Sequence, residues 1–246
     1  MAVTAYLDGP NARLAYAHTP GEGPTVVFLS GYKSDMEGTK AVHLEAWAEA
    51  RGRAFLRLDY SGHGQSGGVF EEGCIGDWAQ DAQAVIESVT EGPLVLVGSS
   101  MGGWIACLLA KRLSARLAGF VGIAAAPDFT EDGFWAGFSD EEREKVMTEG
   151  VTYLPSAYGD PYAVTKRLIE DGRENLVLRA PLPMAVPVRL MQGTEDEAVT
   201  RETALRLLDH IEGDDVQLCF VKGADHRFSE PENLAMIEAA IVEVGG

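Results

Sequence analysis

Ser100, within Gly98-Ser99-Ser100-Met101-Gly102, is the residue of this sequence best placed to act as a nucleophile. A serine hydroxyl attacks poorly at neutral pH. It needs a base within hydrogen-bond reach and N–H donors aimed at the oxygen that becomes negative. A Gly-x-Ser-x-Gly turn meets the geometric half of that need when a strand runs into it and a helix leaves it, because the glycines remove side chains that would clash in so tight a bend. Here Leu94-Val95-Leu96-Val97 supplies the strand and Trp104 to Leu109 the helix. The bare pattern is weak evidence, since Gly64-Gln65-Ser66-Gly67-Gly68 repeats it. No strand enters that second copy and no amphipathic helix follows it, so Ser66 reads as part of a glycine-rich turn. Ser99 occupies the variable position of the motif and is read as support.

A base and an acid should follow on later loops, in the chain order serine, acid, histidine. Asp225-His226-Arg227 follows the expected strand Val216 to Val221, and Glu195-Asp196-Glu197 follows the expected strand Val188 to Gln192. His226 would take the proton from Ser100 and return it to the leaving group, while the acid fixes the imidazole tautomer. Of the other histidines, His18 and His43 precede the nucleophile strand, His63 lies in the glycine-rich turn and His210 within a helix. They show no metal-ligand spacing. The three contiguous carboxylates leave the acid open; Asp196 is preferred. For the oxyanion, the Met101 N–H follows the nucleophile. The loop Ser30-Gly31-Tyr32-Lys33-Ser34 follows the run Thr25 to Leu29, which makes the Tyr32 N–H the second donor.

The elements that must hold these residues alternate. Strands are expected at Arg13–His18, Thr25–Leu29, Ala54–Leu58, Leu94–Val97, Gly119–Ala124, Val188–Gln192 and Val216–Val221. Helices are expected at Asp35–Arg51, Gly73–Thr90, Met101–Leu113, Thr200–Ile211 and Pro231–Val244. Buried β-rich runs alternating with helices imply an α/β fold, a mainly parallel sheet with helices on both faces. One segment interrupts the rhythm. Between Pro127 and Pro187 no strand is evident, prolines 155, 161, 181 and 183 intervene, and helical pieces are expected around Glu141–Met147 and Tyr162–Glu170. A long insertion of this kind commonly covers a site. Its aromatics, Phe129, Phe134, Trp135, Phe138, Tyr153, Tyr158 and Tyr162, suit a lid that partly lines an apolar pocket and partly packs on itself.

The 246 residues fit one domain, residues 1–246, with a lid insertion at about 128–186. A formal charge of −18 disfavours nucleic-acid partners, whose backbone it would repel. Cys74, Cys107 and Cys219 are odd in number and widely spaced, as expected of reduced packing residues. No apolar run is long enough for a transmembrane segment. Met1 to Pro10 carries Asp8 and no Lys or Arg, unlike a signal or transit peptide, so a cytoplasmic location is expected.

With these pieces placed, the sequence resembles the α/β-hydrolase superfamily from about Phe28 to near the C-terminus. It is similar in particular to the mitochondrial abhydrolase-domain depalmitoylases that also act as acyl-glucuronide esterases. The resemblance lies in Gly31 to Ala41, in Leu58 to Ser66, in Val97-Gly98-Ser99-Ser100-Met101-Gly102-Gly103-Trp104, in Gly193 to Val199 and in Asp225-His226-Arg227. It implies the α/β-hydrolase fold, the triad Ser100, Asp196 and His226, and hydrolysis of carboxylic esters or acyl thioesters with no metal or cofactor. The N-terminus departs from the mitochondrial pattern and suits a bacterial-type cytoplasmic relative; the lid departs most. The substrate expected is a small molecule or an acyl group. Two rivals use the same residues: C–C bond hydrolysis on the same triad, and a non-catalytic ligand-binding protein of the same fold.

Overall fold

The computed structural model describes residues 2–154 and 161–246. Eight strands form one sheet: β1 (Ala5–Asp8), β2 (Arg13–Thr19), β3 (Glu22–Leu29), β4 (Arg53–Leu58), β5 (Leu94–Ser99), β6 (Leu117–Ile123), β7 (Val188–Gly193) and β8 (Val216–Val221). Their order is β1-β2-β4-β3-β5-β6-β7-β8. β1 and β2 pair antiparallel with each other and β2 with β4, while every pairing from β4 through β8 is parallel. The expected mainly parallel sheet is therefore present, with β1 as a strand that the sequence pattern did not reveal.

The apolar strands are continuous because both faces are covered. On β3, Val27 and Leu29 enter one core and Val26 and Phe28 the other; on β5, Leu94 and Leu96 alternate in the same way with Val95 and Val97. Helices α2 (Ile75–Val89) and α3 (Met101–Arg112) fill the first core through Trp78, Val85, Ile105 and Leu109. Helices α1 (Thr39–Ala50) and α7 (Pro231–Gly245) fill the second through Leu44, Trp47, Ile237 and Ile241.

The segment between β6 and β7 differs from expectation. It does contain helices, α4 (Asp140–Glu149) and α5 (Lys166–Glu174), with a turn of wider helix at Thr130–Trp135. It also contains an antiparallel hairpin, Val151–Leu154 with Tyr162–Thr165, where no strand was expected. The helical piece expected from Tyr162 thus begins only at Lys166, where the Thr165 hydroxyl accepts from the Leu168 N–H and caps the first turn. Upstream, Ser139 and Glu142 form a reciprocal capping box on α4, and Gly150 ends that helix at φ 87°. Pro155 and Tyr158 lie outside the described residues. Helix α6 (Arg201–His210) follows β7 and packs beside β7 and β8.

Candidate active site

The tight bend expected at Ser100 is formed at the carboxyl end of β5. Ser100 has φ 55° and ψ −120°, a backbone conformation that L-residues rarely adopt. The strained turn is held by its own backbone: the Ser100 N–H donates to Ile123 O (2.9 Å), and Ser100 O accepts from Gly103 N (2.9 Å) and Ala126 N (3.0 Å). A Cβ at Gly98 would overlap the Gly102 carbonyl, and one at Gly102 would overlap the Leu29 carbonyl. Glycine is required at Gly98 for the tight turn from β5 into α3 and at Gly102 for α3 to approach β3 so closely.

Two loops at the same edge of the sheet deliver the partners. After β7, Asp196 points inward with no exposed side-chain surface. Its Oδ1 accepts from Ala198 N and Val199 N (both 2.8 Å), and its Oδ2 accepts from Gln192 Nε2 (2.9 Å) and bonds His226 Nδ1 (2.9 Å). Burial works to raise its pKa, but the bonds from His226, Val199 and Gln192 prevail and hold it below the usual carboxylate value. After β8, His226 Nε2 lies 3.1 Å from Ser100 Oγ. With Nδ1–H donated to Asp196, Nε2 carries the lone pair that faces the serine hydroxyl. The two loops are stitched together by Glu195 N to Ala224 O (3.0 Å) and Gly223 N to Thr194 Oγ1 (2.9 Å).

Met101 opens α3, and its N–H belongs to the first helical turn, which has no intrahelical acceptor. Tyr32 sits in the loop between β3 and α1, beside Ser100 in the lining of one cleft of about 1090 Å³. Gly31 brings that loop onto the nucleophile, since a Cβ there would stand 3.3 Å from Ser100 Cβ. Phe129, Phe134 and Tyr162 make the cleft aromatic on the side of the inserted segment. Lys40 and Arg227 line another stretch of wall, where Lys40 Nζ donates to Arg227 O and burial pushes the ammonium down to about 8.

The structure therefore brings Ser100, Asp196 and His226 into one hydrogen-bonded line and sets Tyr32 and Met101 around the serine. Glu195 and Glu197 remain exposed on the rim. Ser66 is engaged elsewhere: its hydroxyl donates to Asp59 O (2.7 Å) and accepts from Ala15 N (2.8 Å), bracing the turn after β4. His43 pairs with Glu238 at 2.6 Å on the α1–α7 face. Gln192, which orients Asp196, was not anticipated; a polar residue closing the strand after Leu190 and Met191, just before the acid loop, was the available signal. Lys40 gave no signal. Among the described residues no group of His, Cys, Asp and Glu side chains is arranged to hold a metal ion.

A sheet of this order, with a serine elbow after the fifth strand and the acid and histidine after the seventh and eighth, defines a class. The alpha/beta hydrolase family matches residues 26–237, and the chain belongs to it; it is a hydrolytic enzyme. At the level of individual proteins, it is 34% identical over 235 residues to the palmitoyl-protein thioesterase ABHD10, mitochondrial, of Bos taurus, covering 94% of this chain and 75% of that protein. Among solved structures, alpha/beta hydrolase domain-containing protein 10 from mouse superposes with a TM-score of 0.91 at 32% identity, covering 98% of each chain. A provisionally assigned hydrolase from Agrobacterium vitis S4 superposes with a TM-score of 0.96 at 37% identity over the whole of both chains. Among the described residues no helix is long and apolar enough to cross a membrane.

Proposed function

We propose that the protein is a serine hydrolase that cleaves carboxylic esters or acyl thioesters through an acyl-enzyme on Ser100. The observation that carries this reading is the unbroken line from Ser100 Oγ to His226 Nε2 (3.1 Å) and from His226 Nδ1 to Asp196 Oδ2 (2.9 Å), opening into a cleft. Ser100 Oγ bonds the acyl carbon as its proton passes to His226. The N–H groups of Tyr32 and Met101 hold the oxyanion, and the C–O or C–S bond breaks as the alcohol or thiol takes the proton back. Water then gives a proton to His226 as its oxygen attacks the acyl carbon, and the acyl–Oγ bond breaks as His226 returns that proton to Ser100, releasing the carboxylic acid and restoring the free enzyme. The thioesterase names of the relatives that are 34% identical support acyl thioesters among the substrates. In this reading the chain is one domain, and the insertion at about 128–186 acts as a lid, with Phe129, Phe134 and Tyr162 walling the acyl side of the cleft.

Ser100→Ala should lower kcat for p-nitrophenyl acyl esters by about 10⁴- to 10⁶-fold while the protein stays folded. A fluorophosphonate should add to the wild-type protein at Ser100, as read by peptide mass. Near wild-type turnover by Ser100→Ala would sink the reading.

A further inference from the structure

The loop that carries Tyr32 has two neighbours. On one side Gly31 abuts Ser100; on the other, the Tyr32 side chain reaches into the inserted segment. The Tyr32 hydroxyl donates to Ala163 O at 2.8 Å, across 131 positions of sequence, so it is tied to the backbone of the hairpin's second strand. Its ring meets Phe129 (5.7 Å between centroids) and Phe134 (6.0 Å) ahead of α4, and Tyr162 (5.6 Å) in the hairpin, all edge-on. Phe70 (4.9 Å) and Trp78 (6.0 Å) support it from beneath. The neighbouring residue repeats the pattern. Lys33, at φ 56°, directs Nζ towards Pro161 O (3.5 Å) and over the Tyr162 ring. One half-buried tyrosine thus holds both arms of the inserted segment, while the residue also lines the cleft beside the serine.

We propose that the Tyr32 side chain is a positioning residue that couples the hairpin Val151–Leu154/Tyr162–Thr165 to the oxyanion donor, so that the insertion and the Tyr32 N–H move as one unit. The inference rests on the serine-hydrolase reading of Ser100. A hydrogen bond to a backbone carbonyl fixes the phenol along its own axis, and edge-on rings on several sides fix its rotation, so little freedom is left to the amide two bonds from Cβ. Moving the hairpin would drag the ring and turn the amide away from where the oxyanion forms. Preorganised donors stabilise a transition state only while they stay aimed. The tether therefore keeps the oxyanion hole set for any acyl group, including one too short to touch the hairpin.

Tyr32→Phe keeps the ring and deletes the tether. Its kcat is expected to fall about tenfold, a fraction of the ~10²- to 10³-fold that follows when an oxyanion donor is lost outright. The fall should be alike for p-nitrophenyl acetate and p-nitrophenyl decanoate, with KM within about twofold of wild type. Amide hydrogen exchange should quicken together in peptides covering residues 30–35 and 161–166. Unchanged kcat, or a loss confined to KM for the decanoate, would overturn the coupling; the latter would make Tyr32 a wall of the acyl pocket only. Were the variant not to fold by circular dichroism, the wild-type protein carries the test. Phosphonylation at Ser100 should slow exchange in both segments, and slowing in residues 30–35 alone would overturn the proposal. Fluorophosphonate labelling separates the two readings: an unlabelled wild type removes the hydrolase, whereas a labelled one with indifferent Tyr32→Phe kinetics removes only the coupling.

Discussion

Asp196, Glu195 and Glu197 are the same chemistry at adjacent positions, and their difference is a matter of direction. The Ala198 and Val199 N–H groups fold back on Asp196 Oδ1, a turn that an aspartate makes through its short side chain. That turn buries Oδ2 beside Gln192 and His226, and it leaves Glu195 and Glu197 in solvent. No single-sequence signal distinguishes three contiguous carboxylates, because the choice lies in which way the loop bends. The consequence is measurable. Asp196→Asn preserves the shape but offers His226 an N–H or a weaker acceptor in place of an anion, so the imidazole loses its required tautomer; kcat should fall about 10⁴-fold with KM little changed. Glu195→Gln and Glu197→Gln should stay within about twofold. Comparable losses in all three variants would assign the effect to loop charge and remove Asp196 from the line.

The elbow shows what an element contributes beyond its residues. The close approach of α3 to β3 has its tightest point where Gly102 faces the Leu29 carbonyl, a backbone atom that cannot rotate away. Gly102→Ala must therefore push α3 off β3, and β3 leads directly into the loop of Tyr32. The expected result is a loss of about 1–3 kcal/mol in urea unfolding together with a large loss of kcat. Gly137→Ala is the matching control, since a Cβ there meets nothing within 4 Å and the backbone is not left-handed; it should cost nothing in either measurement. Wild-type kcat in Gly102→Ala would show that the approach is not needed. Elements of this kind were legible in the sequence. β5 is wholly buried, its run Leu94–Val97 is apolar at every residue and ends in a glycine-bearing turn, and such a run has few other ways to exist in a folded domain; β7 is also wholly buried and keeps the signal in Val188, Leu190 and Met191 despite Arg189. The hairpin was not legible. Its strands have four residues each, Thr152 is buried and Tyr153 is 59% exposed, and strands so short lack the alternation that identifies longer ones. The Tyr32–Ala163 bond was hidden for a further reason: it joins positions 131 apart, and nothing local to either residue announces the other.

Over the whole molecule, the chain carries a formal charge of −18, while a few ionisable groups, His63 and Asp59 among them, are buried, and these help set how stability responds to acid. His63, 3% exposed, is boxed edge-on by Tyr60 (5.4 Å), Phe70 (5.0 Å) and Trp78 (5.0 Å), with Nδ1 bonded to Ser61 O at 3.1 Å. Burial drives its pKa down from 6.5 to about 4. Between those values the unfolded chain binds a proton that the native protein refuses, so the stability contributed above about 6.5 is lost as pH falls towards 4. Asp59 works the other way. Burial raises its pKa from 3.8 to about 6 despite the bonds it accepts from Gln65 N and Met36 N, so the native protein takes up a proton first and acidification from 6 to 4 favours the fold. The two groups oppose each other across that window, and the wild-type unfolding curve hides both. His63→Asn should expose the histidine's share, because Asp59 is common to both proteins and cancels in the difference. The lost ring packing is a constant cost, independent of pH, whereas the difference in unfolding free energy between wild type and variant should shrink by on the order of 1–3 kcal/mol as pH drops from 7 to 4.5. Urea unfolding at several pH values reads that slope directly. A difference that stays flat would mean that His63 titrates in the native protein as it does in the unfolded chain, which a ring sealed among Tyr60, Phe70 and Trp78 should not do.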